Sequence, residues 1–141
     1  PVKAAHEAYE DMALEYHVFL TDTGEVKLTL FLSPTLNYNE NKGLRYAVSV
    51  DDGEEQVVNF NHQYTDREWE SWVANAIITS TTVHPISQPG FHTIRYRVLD
   101  PGVVLQKLVL DSGGVKPSYL GPPESKNVYE EKILMNDRII E

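Results

Sequence analysis

Gly90-Phe-His-Thr-Ile-Arg-Tyr-Arg-Val-Leu-Asp-Pro-Gly-Val-Val-Leu-Gln-Lys-Leu-Val-Leu-Asp-Ser-Gly-Gly114 holds two strand-like runs about a single turn. In the first run Ile94, Tyr96 and Val98 alternate with Arg95 and Arg97, the period of two that a sheet with one wet face requires. Asp100-Pro101-Gly102 breaks it: proline presets φ for a turn, and the glycine after it accepts a positive φ. In the second run Val103, Val104, Leu105, Leu108, Val109 and Leu110 are interrupted only by Gln106 and Lys107. A strand that apolar is expected to be covered on both faces and to lie centrally in its sheet. The stretch is thus read as a hairpin on which the other strands assemble.

Upstream the same alternation recurs. Leu44, Tyr46, Val48 and Val50 alternate with Arg45, Ala47 and Ser49, and Asp51-Asp52-Gly53 turns the chain into a short return strand from Gln56 to Phe60. Val26, Leu28, Leu30 and Leu32 alternate behind the turn signal Thr21-Asp22-Thr23-Gly24, which pairs them with a strand ending at Leu20 in an expected hairpin. Thr65-Asp66-Arg67-Glu68 fits a capping box, and Trp69, Trp72, Val73 and Ala76 follow at helical spacing, predicting one helix over residues 66–75. Ile77 to Val83 is β-branched and returns to strand, and Pro85 to Gly90 reads as a loop. Many short strands with a single helix indicate an all-β protein, an antiparallel β-sandwich of jelly-roll, galactose-binding-like form. Residues 1–125 are assigned to the sandwich and 126–141 to a charged C-terminal tail.

The 141 residues suit one domain, and no apolar run approaches the ~18 residues of a membrane span. Cysteine is absent, which excludes a disulfide framework, thiol catalysis and thiolate metal sites. A net charge of −9 argues against nucleic acid and against anionic membranes as partners.

Motifs that carry chemistry are scarce. Asp51 and Asp52 could be imagined as a glycosidase pair, but adjacent residues before a glycine are better explained by a turn. The histidines His6, His17, His62, His84 and His92 have no spacing that places a metal on one element, and Ser118 and Ser125 lack a nucleophile elbow. No catalytic residue, metal or cofactor is assigned. Eight tyrosines and two tryptophans leave one option, stacking on sugar rings. Trp69 and Trp72 share a helix face and are expected in the core, whereas Tyr38, Tyr64 and Tyr119 lie in loops and are the candidate sugar-binding residues.

Leu44-Arg-Tyr-Ala-Val-Ser-Val-Asp-Asp52, Trp72-Val73-x-Asn75, Gly90-x-His-Thr93, the Asp100–Asp111 run and Gly114-x-Lys-Pro-Ser-Tyr-Leu-Gly-Pro-Pro-Glu-Ser125 occur here in one order. Over about residues 13–125 the chain resembles the C-terminal domain of glycoside hydrolase family 115, the xylan α-1,2-glucuronidases. The resemblance implies a jelly-roll-like sandwich at the end of a multidomain secreted or periplasmic enzyme whose catalytic carboxylates lie in an upstream barrel. It implies an accessory role, packing against the parent enzyme or a dimer partner, with binding of xylan oligosaccharides as the alternative. It also implies a further strand ahead of Pro1. Its absence would leave a sheet edge open to self-association or to the tail from Val128 to Ile140.

Overall fold

The computed structural model describes residues 12–36, 43–61, 64–116, 118 and 121–126. Seven strands follow in order: β1 (Ala13–Leu20), β2 (Gly24–Leu32), β3 (Arg45–Val50), β4 (Gln56–Asn59), β5 (Ile78–Ile86), β6 (Gly90–Val98) and β7 (Leu105–Asp111), with helix α1 (Asp66–Asn75) between β4 and β5. They form a four-stranded sheet ordered β1-β6-β3-β4 and a three-stranded sheet ordered β5-β2-β7. Every pairing is antiparallel. This is the β-sandwich expected from the alternating runs.

The inward residues of both sheets make the core. Val26, Leu28, Leu30 and Leu32 of β2 meet Leu44, Tyr46, Val48 and Val50 from around β3 and Ile94 and Tyr96 of β6. Outward positions on β2 (Lys27, Thr29, Phe31) are exposed or half-buried. Helix α1 begins where the sequence requires: the Thr65 hydroxyl accepts from the Glu68 amide and the Glu68 carboxylate accepts from the Thr65 amide. It ends on Ala76 in a left-handed conformation, whose amide donates to Trp72 and Val73 carbonyls.

Three expectations are corrected. The two runs of 90–114 are not a hairpin: β6 pairs with β1 and β3, while β7 pairs with β2 in the other sheet. Asp100-Pro101-Gly102 is a turn, with Gly102 at φ 87°, but it carries the chain across the sandwich. The Asp100 carboxylate is buried there, accepting from the Arg45 amide at 2.8 Å and from its guanidinium at 2.8 and 3.1 Å. That bond holds the Arg45 guanidinium pKa above its ordinary value. Nor is β7 central; it is an edge strand whose outer face is crossed by the returning chain, where Lys107 Nζ donates to the Pro122 carbonyl at 3.0 Å. Likewise β1 and β2 do not pair but lie in opposite sheets. A smaller revision concerns β5, which runs through Pro85 to Ile86. An edge position tolerates a residue without an amide proton.

Candidate functional site

The two flanks of the sandwich are built differently. On one flank β5 packs toward β3 and β4: the Tyr46 hydroxyl donates to Ser80 Oγ at 2.8 Å, and Gln56 Nε2 donates to the Val83 carbonyl at 2.8 Å. A shallow groove of about 520 Å³ runs along this flank, lined by Glu54, Glu55, Gln56, Val57, His84 and Pro85 among others. His84 is buried in its wall, and burial holds its pKa below the ordinary histidine range. The two carboxylates there do not form a catalytic pair. Glu55 is held by the Arg97 guanidinium at 2.5 and 3.1 Å, which keeps its pKa low, and Glu54 is exposed.

With β5 on that side, three strands lie against four and β1 overhangs at the other flank. Leu14 and Tyr16 point to the same side as Tyr96 and Ile94, their partners on β6. Tyr96 and Ile94 are 2% and 0% exposed, yet Leu14 and Tyr16 are 53% and 37% exposed. The Tyr96 hydroxyl, sealed behind this overhang, finds no hydrogen-bond partner. Burial, and then Tyr46 and Tyr16, push its pKa upward.

The outer face of the same corner is also apolar. Phe19 and Phe91 sit opposite one another on β1 and β6, their rings meeting edge to face at 5.1 Å. They are 57% and 75% exposed, and Met12 is exposed at the same end of the sheet as Leu14. Apolar surface gathered on one corner of a soluble domain marks an interaction site more often than scattered residues do. Directly behind Phe91, His92 fixes the start of β6: its Nδ1 meets Asp51 Oδ2 at 2.6 Å and its Nε2 the Gln88 carbonyl at 2.8 Å. The Asp51 bond raises the His92 pKa against the opposing effect of burial. Asp51 is pushed up by burial, but the bonds from His92 and the Thr93 amide outweigh this and hold it low. The Asp51-Asp52 turn is therefore a turn, with one carboxylate serving as a brace.

Of the sugar-stacking candidates, Tyr38 and Tyr119 lie outside the described residues. Tyr64 stacks on Trp69 at 5.4 Å and 29°, and contacts Trp72 at 5.4 Å and 59°. All three rings are half-buried. Trp72 packs on the core as expected, while Trp69 lies outside it against Tyr64. Sequence spacing could find the pair of tryptophans but not the third ring. The Phe19–Phe91 pair was missed altogether, because its two residues come from strands that only the sheet order brings together.

The glycosyl hydrolase family 115 C-terminal domain matches residues 1–124. The chain belongs to this family. Among solved structures, a family GH115 4-O-methyl-α-glucuronidase with specificity for decorated arabinogalactans resembles it with a TM-score of 0.65 and 24% identity. The match covers 72% of this chain and 13% of that enzyme, so this GH115 C-terminal domain spans a small part of the protein it resembles. A family 35 carbohydrate-binding module from Clostridium thermocellum gives a TM-score of 0.49 at 20% identity, over 70% of this chain and 68% of the module. No curated protein matches. Among the described residues no helix is long and apolar enough to cross a membrane, and no three His, Cys, Asp or Glu side chains gather as a metal site.

Proposed function

We propose that this domain is a non-catalytic accessory module of a xylan α-1,2-glucuronidase, working in the secreted or periplasmic space by docking on the upstream domains of the enzyme. The Phe19–Phe91 pair carries this reading, since two phenylalanines more than half exposed on a sheet face bury nothing within the domain itself. The groove on the other flank lacks aromatic rings and a free carboxylate pair, which leaves hydrolysis without its acid and base here. In the parent enzyme, Phe19→Ser with Phe91→Ser should split one calorimetric transition into two as the module uncouples. A single unshifted transition would refute docking through this face.

The Tyr64–Trp69–Trp72 cluster favours a second reading, binding of glucuronoxylan oligosaccharides by ring stacking. Its rings meet at 29°, 59° and 79° rather than lying in one plane, which fits a sugar chain less well than a flat platform. Titrating decorated xylo-oligosaccharides against tryptophan fluorescence checks it: saturable quenching lost in Tyr64→Ala supports sugar binding, and an unchanged spectrum removes it.

A further inference from the structure

Strand β1 presents an eight-residue hydrogen-bonding edge, and no other strand among the described residues pairs with its outer side. Proteins blunt such edges with prolines, bulges or inward-pointing charges. Ala13–Leu20 contains none of these, and its register with β6 runs unbroken from Ala13↔Arg97 to Leu20↔Gly90.

The edge is also complementary to itself. Directly opposed residues of an antiparallel pair share a face, so a strand meeting its own copy must match positions of equal parity. A twofold axis through Tyr16 sets Glu15 opposite His17 of the second copy, and His17 opposite Glu15 of the second copy, both on the outer face. On the inner face the same axis sets Leu14 against Val18, Met12 against Leu20, and Tyr16 against itself. Every inner pair is then apolar or aromatic. Axes through the neighbouring residues do worse: through Glu15 two carboxylates collide, and through His17 both acid–imidazole pairs are lost.

The surroundings of the two polar residues agree with this register. Within its own sheet Glu15 lies beside Arg95 and His17 beside Thr93. His17 Nδ1 is 3.0 Å from Thr93 Oγ1, which leaves Nε2 as the ring nitrogen for a carboxylate on an added strand. Across the joined sheets one row would read Arg95 and Glu15, then His17 and Thr93 of the second copy.

We infer that the domain forms a twofold dimer by antiparallel pairing of β1 with β1 of a second copy, centred on Tyr16. The two four-stranded sheets become one sheet of eight strands, an isologous contact made by backbone hydrogen bonds and specified by the Glu15–His17 pairs. The pairing uses the strand edge and leaves the outward Phe19–Phe91 rings for the upstream domains, so either proposal can fail without the other.

Sedimentation and native mass spectrometry on the 141-residue chain test it. The unmodified chain should dimerise. Glu15→Lys and His17→Glu should each weaken association by about tenfold or more, because each places like charges opposite one another twice. Mixed in equal amounts, the two variants should recover a heterodimer, since every opposed pair then joins opposite charges. Both side chains are exposed, so melting of the separated monomers should stay unchanged. A chain that is monomeric at every soluble concentration overturns the inference. So does a dimer that neither variant weakens, or a mixture that associates no better than either variant alone.

Discussion

Strands β1 and β2 carry the same alternation, yet they end in opposite conditions. The inward side chains of β2, Val26, Leu28, Leu30 and Leu32, are all buried. On β1 the inward Leu14 and Tyr16 stand open to solvent. Residue type does not explain the contrast. Strand β2 is the middle strand of its sheet and faces a wider one, whereas β1 is the fourth strand above a sheet of three. A period of two says which side chains point inward. How far the opposite sheet extends decides whether inward means buried.

The largest test of that contrast is a pair of truncations. Leu30→Ala should cost about 3 kcal/mol in a denaturant melt, since it empties a fully packed site, whereas Leu14→Ala should cost less than about 1 kcal/mol. Equal costs would break the comparison. A Leu14→Ala cost that grows with protein concentration would sharpen it instead, by showing that a second copy covers the overhang.

Of intermediate size is the effect of filling the turn that passes the chain from the β1 sheet to the β2 sheet. Gly102 has φ 87°, so Gly102→Ala should cost more than about 1 kcal/mol. An unchanged melting temperature would mean that the crossover backbone relaxes without the glycine.

The smallest effect lies beside Phe91. His92 binds its proton more tightly folded than unfolded, so its contribution is complete below its ordinary value of 6.5. It is lost as the pH rises through the raised folded value. Asp51 works in the other direction, losing its contribution as the pH falls through its lowered value. Between about pH 5.5 and 8.5 the unmodified chain should therefore lose roughly 2 °C more in Tm than His92→Gln, a modest difference because Asp51 is half exposed. Parallel melting curves would assign the His92–Asp51 contact no energetic part in holding this end of β6.

Local chemistry was legible in the chain, and partnership between strands was not. Thr65 and Glu68 announced the helix start because a capping box is completed within four residues. The Asp51-Asp52-Gly53 turn gave the true β3–β4 hairpin, since Gly53 donates back to the Val50 carbonyl and the two strands follow at once. Asp100-Pro101-Gly102 offers equally good turn chemistry and joins strands of different sheets. Its carboxylate is engaged by Arg45, 55 residues away, an interaction that no local pattern contains. The apolarity of β7 suggested a central strand because burial on both faces looks alike whether strands or a returning loop supply it. The same limit hid the docking corner: Phe19 and Phe91 are unremarkable until β1 and β6 are neighbours.

The pairing of β1 with β6 has a further consequence, in time rather than in space. His17 and Thr93 touch across a separation of 76 residues, so the first strand made by a ribosome waits for the sixth before it has a place in the sheet. Closing so long a loop precedes any reward from the contacts it allows, and sandwiches assembled this way fold in milliseconds to seconds. Throughout that interval Leu14, Tyr16, Val18 and Phe19 travel as an unpaired apolar segment on a nascent chain. Synthesis therefore exposes the stickiest strand of the domain first and protects it late, which makes the order of translation itself a hazard that chaperone binding to this segment would relieve.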